Sequence, residues 1–311
     1  MSTVSVIIPT HNAGNSFRKL LESIKKQTLK ELELLVIDSS SRDNTTEIAK
    51  EFGATVITIP QKEFDHGGTR TFAGKLAKGD ILVYLTQDVL LADSETLEKV
   101  ISPLWNNPKI GATFGRQIPY PETNLFGKHL RYFNYPETSY TRSYRDRDKY
   151  GIKAAFISNS FSAYRRDVLE EIGWFKNNLI MGEDIYAGAK ILKHGYQIAY
   201  VAEAKVFHSH SYTIWLEFKR YFDIGVFHRE ENWILEEFGK AEKEGIKYIK
   251  SELAFLKNLK AYHLIPISFI RNIAKYLGYK LGYHYDKIPF QVIKKLSLHS
   301  SWWDKAKRGN W

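Results

Sequence analysis

The segment VSVIIPTHN, Val4 to Asn12, joins a β-branched apolar run to a polar turn. The next segment, NSFRKLLESIKKQ, has helical spacing of its apolar residues, which are Phe17, Leu20, Leu21 and Ile24. ELELLVIDSSS, DNTTEIAKEFG and ATVITIP then continue the alternation as a strand, a capped helix and a strand. This β-α-β-α-β order predicts an α/β fold whose central sheet is mostly parallel.

The composition limits the classes of protein to be considered. The chain has 311 residues and no cysteine, which excludes disulfides and thiolate metal sites. There is no basic start followed by an apolar run, as in a signal peptide, and no apolar run approaches the roughly 20 residues that cross a bilayer. We therefore expect a cytoplasmic protein that can touch the inner face of the cell membrane without spanning it.

The net charge of +10 comes from one end of the chain. Residues 245–311 hold 13 Lys and Arg against three Asp and Glu, whereas residues 1–244 hold 32 of each kind. The total charge by itself would favour a nucleic-acid-binding protein, but such a protein leaves the polar motifs of the neutral body unexplained. We therefore expect no nucleic-acid partner.

Later segments extend the alternation. Thr69 to Ala77 is typical of a helix, and GDILVYLTQD is typical of a fourth strand. Residues 113–150 are rich in proline, tyrosine and alternating charge, and they predict a long excursion over one face. MGEDIYAGAKILKHG and YQIAYVAEAKVFHSH then predict a helix and a strand, and the sequence beyond about Thr213 is typical of helices. We expect one domain over residues 1–230 and a basic, mainly helical extension over residues 231–311.

Polar residues follow each of the first four predicted strands, in PTHN, DSSSRDN, FDHGGTR and TQD. Ordinary turns would account for any one of them, but four in succession predict a nucleotide site, because ligands collect at the carboxyl ends of parallel strands. In FDHGGTR, Gly67 and Gly68 would let the backbone approach a ligand, and Arg70 offers a planar cation for phosphate. Asp65 and His66 can hydrogen-bond a nucleotide or a sugar.

Three further motifs carry acids or imidazoles. Asp88 in TQD stands at the end of a buried strand, where it is either a turn residue or a ligand of a divalent cation. GEDIY opens a helix with Glu183 and Asp184, which suit the helix dipole with or without a catalytic role. His208 and His210 in VFHSHSY lie on one side of a strand end. They could bind a metal or a phosphate, or they could simply face solvent.

These motifs, in this order and approximate spacing, resemble glycosyltransferase family 2, the inverting nucleotide-sugar enzymes of the GT-A fold. The resemblance covers residues 1 to about 230. FDHGGTR, QD in place of the usual acids, GRQIP and ISNSFSAYRR look like the branch of bacterial rhamnosyltransferases. Thr86 stands where the family usually has the first acid of Asp-x-Asp. Either a histidine therefore helps Asp88 to hold the metal, or dependence on metal is weak.

The resemblance implies a role for each motif. Asp184 would be the catalytic base, and Asp88 with His210, or with His208 in its place, would hold Mg²⁺ or Mn²⁺. Asn159 and Glu183 would line the acceptor or sugar pocket. Asp38, which by itself could equally cap a turn, belongs to the residues implied in nucleotide and donor binding, namely Thr10, Asn12, Asp38, Ser40, Asp65, His66, Gly67, Gly68, Arg70, Gln87, Arg116 and Gln117.

The implied reaction is an inverting transfer of L-rhamnose from dTDP-β-L-rhamnose to a hydroxyl of a glycan or lipid-linked acceptor in bacterial cell-surface polysaccharide synthesis. A UDP-hexose donor is the alternative within the family. A catalytically silent binding module is the alternative outside it, since Thr86 replaces an expected acid. The sequence leaves the oligomeric state open.

The segment IPISFIRNIAKYLGYKLGYHY places Ile270, Ile273, Leu277 and Leu281 on one helical face, with basic and aromatic residues around it. Such a face can lie on an anionic membrane. It can also pack on the rest of the chain or on a second subunit. The sequence does not decide between these partners.

Overall fold

A computed structural model describes residues 3–239 and 242–307. The strands in these residues, β1 to β9, are Val4–Thr10, Leu32–Asp38, Thr55–Thr58, Ile81–Leu85, Leu90–Leu91, Ile110–Ile118, Tyr140–Arg142, Phe161–Arg165 and Gln197–Phe207. The helices, α1 to α14, are Gly14–Lys25, Thr45–Glu51, His66–Leu76, Thr96–Asn106, Leu125–Asn134, Arg147–Tyr150, Arg166–Glu171, Glu183–Lys193, Ile214–Glu230, Asn232–Phe238, Glu242–Asn258, Ile265–Tyr283, Phe290–Leu296 and Ser300–Lys307. None of the helices in the described residues has both the length and the apolar character that a membrane crossing requires.

One sheet of mixed strand direction forms the centre of the fold. Its order is β3-β2-β1-β4-β8-β6-β9-β5, and β7 also pairs with β9. The four strands β1 to β4 are parallel, as the alternation in the sequence predicts. β8 is antiparallel to both of its neighbours, β4 and β6, whereas β6 and β9 are parallel to each other. The expectation of a mostly parallel sheet is therefore refined, because the second half of the sheet is mixed.

Strand direction brings many polar residues to one edge of the sheet. β1, β2, β4, β6 and β9 end at this edge, and β8 begins there because it runs the other way. The strand interiors are buried, so the residues near these ends are the ones that can face a ligand. We call this the polar edge, and its residues include Thr10, Asp38, Asp88, Gln117, Asn159 and His208.

Two segments differ from the sequence prediction. Residues 113–150 are not one irregular excursion, because β6 continues to Ile118 and the helix α5 follows it. α3 begins at His66, three residues earlier than expected. The Asp65 carboxylate accepts a hydrogen bond from Gly68 N at 2.6 Å and caps this helix. The motif FDHGGTR is therefore the first turn of a helix together with its cap.

The helices α9 and α12 pack closely along their lengths. A Cβ atom added at Gly282 would stand 1.9 Å from the carbonyl oxygen of Phe222, and one added at Gly225 would stand 2.2 Å from that of Tyr279. Glycine is required at both positions because backbone meets backbone there. α9 ends at residue 230, the expected domain boundary, and α12 lies beyond it. That boundary stays a prediction.

The side of α12 that faces α9 is polar. Arg271 and Lys275 are buried, and their nitrogens lie 2.8 and 3.5 Å from Glu217 Oε1 of α9. Glu252 of α11 is also buried and accepts hydrogen bonds from Ser268 and Asn272 of α12. Charges of both signs are therefore paired inside this helical layer, as buried charges must be.

The apolar side of α12 is consequently exposed. Ile270, Ile273 and Leu277 are 55%, 58% and 49% exposed, and Phe269 and Leu281 are exposed as well. Within the described residues this face does not pack on the rest of the chain, which was one of the alternatives that the sequence left open. Contact with a membrane or with a second subunit stays a prediction.

We expect Gly282→Ala to lower the free energy of unfolding by about 1–3 kcal/mol, since its methyl group would overlap the Phe222 carbonyl and push α12 from α9. Gly245→Ala in α11 is the matched control. A Cβ atom there meets nothing within 4 Å, so this change should stabilise the helix by up to about 1 kcal/mol. Urea unfolding followed by circular dichroism measures both, and equal effects would contradict the close packing.

Candidate active site

A network of hydrogen bonds connects the ends of β1, β2 and β4. The Asp38 carboxylate accepts from the Thr10 hydroxyl at 3.0 Å and from Ser41 N at 2.8 Å. The Gln87 amide accepts from His11 N at 2.8 Å and donates to His11 O at 3.2 Å. These side chains fix the shape of a cradle at the polar edge. Their contact with a nucleoside stays a prediction.

Asn12 and Ser40 lie in the same cradle with left-handed backbone conformations, at φ values of 47° and 56°. Asn12 Oδ1 accepts a hydrogen bond from Arg42 N at 2.9 Å, and Ser40 Oγ donates to Ile59 O at 2.8 Å. This conformation is uncommon for residues other than glycine and clusters at ligand sites. The two residues are therefore held in place by the turns around them, and their role in donor binding stays a prediction.

Asp88, His208 and His210 form a cluster beside this cradle. Asp88 Oδ2 lies 3.3 Å from His208 Nε2 and 3.5 Å from His210 Nε2. One ligand atom of each residue lies within 4.8 Å of the other two. The structure thus brings both histidines to Asp88, where the sequence had favoured His210. Two imidazole nitrogens and one carboxylate oxygen suit Mn²⁺ better than Mg²⁺, which prefers oxygen ligands.

The charge states of this cluster suit a cation. Burial by itself would raise the pKa of the Asp88 carboxyl, but hydrogen bonding and charge interactions, mainly with His208, hold that pKa well below its usual range. Burial lowers the pKa of His208 and lowers that of His210 to about 4. At pH 7 the carboxylate is therefore ionised and both imidazoles are neutral, which are the forms that bind a metal.

Gln117 orients His208. The His208 Nδ1–H group donates to Gln117 Oε1 at 2.8 Å, because a carbonyl oxygen can only accept, and this leaves the lone pair on Nε2, the nitrogen near Asp88. Gln117 is only 1% exposed, and its Oε1 also accepts from Arg131 at 2.7 Å. The structure therefore gives Gln117 a supporting role at the cluster, and its contact with the donor stays a prediction.

Arg116 points away from this cluster, because consecutive residues of a strand face opposite sides of a sheet. Its guanidinium pairs with the exposed Glu137 at 2.7 Å and lines a cavity of about 330 Å³ together with Asp93 and Lys205. The structure does not bring Arg116 to the cluster, and its contact with the donor stays a prediction.

Glu183 and Asp184 begin α8 and form a carboxylate pair at the site. Arg70 Nη1 lies 3.2 Å from Glu183 Oε1, and both side chains are buried. Burial would raise the pKa of Glu183, but the charges of Arg70 and His66 bring it below its usual value. Burial and the nearby Glu183 charge raise the pKa of Asp184 to about 7. Two adjacent acids with separated pKa values are typical of acid–base chemistry.

Asn159 positions both members of this pair. Its backbone N donates to Asp184 Oδ2 at 3.2 Å, and its side-chain amide donates to Glu183 Oε1 at 3.1 Å. The amide oxygen accepts from the hydroxyls of Ser162 and Tyr164 at 2.9 and 2.8 Å. Asn159 is 2% exposed, and Glu183 is likewise buried against Arg70. Their roles in an acceptor or sugar pocket stay predictions.

The carboxylate pair and the metal-ligand cluster are neighbours. Ser158, the residue before Asn159, accepts a hydrogen bond from Gln117 Nε2 at 3.0 Å. The short segment just before β8 therefore contacts Asp184 through Asn159, and it contacts Gln117, which orients His208, through Ser158. A candidate base and a candidate cation site stand together at the polar edge.

The residues of FDHGGTR have partners inside the protein. Arg70 pairs with Glu183, and the Asp65 carboxylate caps α3 and accepts from Asn178 N at 3.1 Å. A Cβ atom at Gly67 would stand 1.9 Å from the carbonyl oxygen of Lys176, so packing by itself requires a glycine there. The roles of Asp65, His66, Gly67, Gly68 and Arg70 in donor binding stay predictions.

The C-terminal helices reach the start of α3. The ring centroids of His299 and His66 are 5.3 Å apart. Leu298 N and His299 N both donate to the buried Asp223 carboxylate of α9, at 2.9 and 3.0 Å. Further along, Trp302 Nε1 donates to Asn178 O at 3.1 Å, and Lys305 Nζ donates to Phe64 O at 2.7 Å. The sequence analysis did not identify these contacts, because no local pattern marks them.

Comparison with known proteins was made against this geometry. The sequence profile of Glycosyl transferase family 2 matches residues 5–173. The chain belongs to glycosyltransferase family 2. This family 2 chain is 43% identical to the O-antigen chain rhamnosyltransferase RfbN of Salmonella typhimurium, over 97% of its own length and 96% of that protein. It is 42% identical to the O-antigen chain rhamnosyltransferase WbaN of Salmonella anatum, over 98% and 96%.

Solved structures resemble the family 2 fold described above. The mannosyltransferase PcManGT from Pyrobaculum calidifontis, determined with GDP-Man and Mn²⁺, matches with a TM-score of 0.61 at 17% identity and covers 92% of this chain and 88% of that one. TarS of S. aureus, determined with UDP-GlcNAc, matches with a TM-score of 0.56 at 16% identity, over 92% and 91%. The predicted GT-A fold with C-terminal helices is confirmed.

We expect Gln117→Leu to weaken Mn²⁺ binding about 10- to 100-fold, because it removes the acceptor that orients His208. Gln117→Glu keeps an acceptor for both His208 and Arg131 and should retain most of the affinity. Isothermal titration calorimetry with MnCl₂ measures both variants, with Asp88→Ala as the variant that loses the site. Equal losses in the Leu and Glu variants would show that the acceptor is not what matters.

Proposed function

We propose that this family 2 enzyme is an inverting rhamnosyltransferase that transfers L-rhamnose from dTDP-β-L-rhamnose to a hydroxyl of an O-antigen or similar cell-surface glycan. Its reaction class rests on one observation, the Asp184 carboxyl with its pKa raised to about 7 beside the Asp88, His208 and His210 cluster. The choice of rhamnose rests on the near full-length identity to RfbN and WbaN.

Asp184 serves as the base of this reaction. The acceptor oxygen forms a bond to the anomeric carbon of the sugar while the bond from that carbon to the β-phosphate oxygen breaks. The acceptor proton goes to the Asp184 carboxylate, and dTDP leaves with the electron pair. Attack from the face opposite the leaving group inverts the anomeric carbon, so a β-linked donor yields an α-L-rhamnoside.

The surroundings of Asp184 maintain its basicity. Glu183 stays ionised because Arg70 pairs with it, and its negative charge makes Asp184 a stronger base. The backbone N–H groups of Asn159 and Ile185 donate to the two oxygens of Asp184, at 3.2 and 2.8 Å, and fix the direction of the carboxylate. A base held in this way needs little rearrangement when the acceptor arrives.

Asp88, His208 and His210 would hold a divalent cation, which we take to be Mn²⁺ from the donor set. When bound, such a cation neutralises charge on the diphosphate of the donor. Two histidines thus complete the ligand set that Thr86, in place of an acid, leaves short. The cradle around Thr10 and Asp38 would take the nucleoside.

The direct test is donor hydrolysis by the purified protein with Mn²⁺, using dTDP-β-L-rhamnose, UDP-glucose and UDP-galactose. We expect turnover with dTDP-β-L-rhamnose, and a loss of about 10²–10⁴-fold in Asp184→Asn, which cannot accept the proton. The rate should rise with pH, reach half its maximum near pH 7 and level off above it, because Asp184 acts in its ionised form.

Several outcomes would contradict the proposal. Turnover of a UDP-hexose alone would keep the family and discard rhamnose. A rate that falls as the pH rises through 7, or full activity in Asp184→Asn, would remove Asp184 as the base. A lack of any hydrolysis or transfer would favour a catalytically silent binding module.

We also propose that the exposed apolar face of α12 rests on an anionic membrane where the acceptor is lipid-linked. The helix buries its charged side and exposes its isoleucines, which is the reverse of a helix on a water-soluble surface. Residues 245–311 carry the whole positive excess, and Lys257 and Lys260 are exposed just before α12. Each cation near such a surface adds about 1 kcal/mol to binding.

We expect the protein to float with phosphatidylglycerol vesicles and much less with phosphatidylcholine vesicles. The triple variant Ile270→Ser, Ile273→Ser, Leu277→Ser should lose flotation. Ile246→Ser is the matched control, because Ile246 of α11 is 56% exposed but lies outside this face. A wild-type dimer that the triple variant abolishes, without vesicle binding, would assign the face to a second subunit instead.

A further inference from the structure

Two arginines flank the Asp88, His208 and His210 cluster without a carboxylate partner within 4.0 Å in the part of the chain that the structure describes. Arg131 of α5 donates from Nη1 to Gln117 Oε1 at 2.7 Å, and its buried Nε has no hydrogen-bond partner there. Arg220 of α9 is half-buried, and its guanidinium carbon lies 6.0 Å from the centre of the Tyr212 ring. Asp88 acts on the charge of Arg131, and Arg220 acts on that of Asp223, but both carboxylates lie beyond ion-pair distance of these arginines.

The two arginines reach the cluster by different routes. Arg131 lies beside Gln117, which holds His208. Arg220 lies against Tyr212, whose ring centroid is 5.4 Å from that of His210. Arg131 and Arg220 are both positively charged, and each charge acts on the other in this partly buried site. Their repulsion costs free energy, and a bound anion would relieve that cost.

Arg220 also lies toward the carboxylate pair. It stands three residues before Asp223 on α9, and so on the same face of that helix, and Asp223 holds Leu298 and His299 beside His66. Arg220 neighbours His210 through Tyr212, and its charge also acts on His66 and His299. Arg220 therefore lies between the metal-ligand cluster and His66 at the start of α3. The diphosphate of a donor must lie there if Asp184 is to face the sugar that it carries.

We propose that Arg220 and Arg131 form the clamp for the diphosphate of the nucleotide donor, with Arg220 donating to the β-phosphate oxygen that becomes the leaving group. The proposal rests on the proposed function for the identity of its ligand. The sequence analysis had given the role of phosphate-binding cation to Arg70, whose guanidinium pairs with Glu183. The proposal assigns that role to Arg220 and Arg131 instead.

The chemistry of the step favours an arginine at this position. As the bond to the anomeric carbon breaks, the β-phosphate oxygen receives the electron pair and its negative charge grows. A planar guanidinium can donate two hydrogen bonds to phosphate oxygens, and these strengthen as the charge develops. Loss of Arg220 should therefore lower kcat as well as the affinity for a diphosphate.

The test compares dTDP with dTMP, which lacks the β-phosphate, by calorimetry in the presence of Mn²⁺. In Arg220→Ala we expect dTDP to bind about 10- to 100-fold more weakly, with the affinity for dTMP nearly unchanged. Arg220→Lys should fall between Arg220→Ala and the wild type. Lys219→Ala is the matched control, since this neighbouring cation of the same helix lies over Trp215 instead.

Each outcome decides the proposal. Equal losses for dTDP and dTMP in Arg220→Ala, with an unchanged melting temperature, would overturn the clamp, and so would full dTDP affinity. Both results leave the proposed function standing, because the wild type still binds dTDP. Failure of the wild type to bind dTDP with Mn²⁺ would instead overturn the proposed donor, and the clamp with it.

Discussion

The antiparallel placement of β8 between β4 and β6 is the constraint on which the site depends. It brings the segment just before β8, with Ser158 and Asn159, to the edge where the parallel strands end. Asn159 can therefore hold Asp184 while Ser158 holds Gln117 of β6, and the two halves of the site become neighbours. An all-parallel sheet would put this segment at the opposite edge, far from both.

The sequence was sufficient for those features that depend on local pattern. The parallel strands follow from periodicity, and the GT-A class follows from the family resemblance that the ordered motifs carry, because each motif lies within a short segment. Pairings between distant segments could not be predicted in this way. Arg70 pairs with Glu183, which lies 113 residues further along the chain. Arg116 and Gln117 are neighbours in one strand and therefore face opposite sides of the sheet, so that only Gln117 contacts His208. Arg220 carries no motif at all.

The helix α12 buries its charged side and exposes its apolar side. Sequence spacing identifies such sides, but it does not tell which of them faces the protein. The apolar face of α12 could be predicted from spacing, but the exposure of that face depends on which side of α12 packs on α9. That side carries Gly282, which meets the α9 backbone, and Arg271, which pairs with Glu217. Burying Arg271 and Lys275 costs desolvation that Glu217 and Glu252 only offset. This arrangement is therefore less stable than one in which the apolar side of α12 packs on α9.

The contacts of Leu298, His299, Trp302 and Lys305 with the start of α3 also have a consequence for protein synthesis. The sheet and its parallel half are made first, and domains generally fold from the N-terminal side as they emerge. The brace on α3 and on Asn178 is made from residues that are synthesised after every strand of the sheet. A nascent chain can thus acquire its sheet early, yet it braces the start of α3 only when residues 298–305 have also emerged.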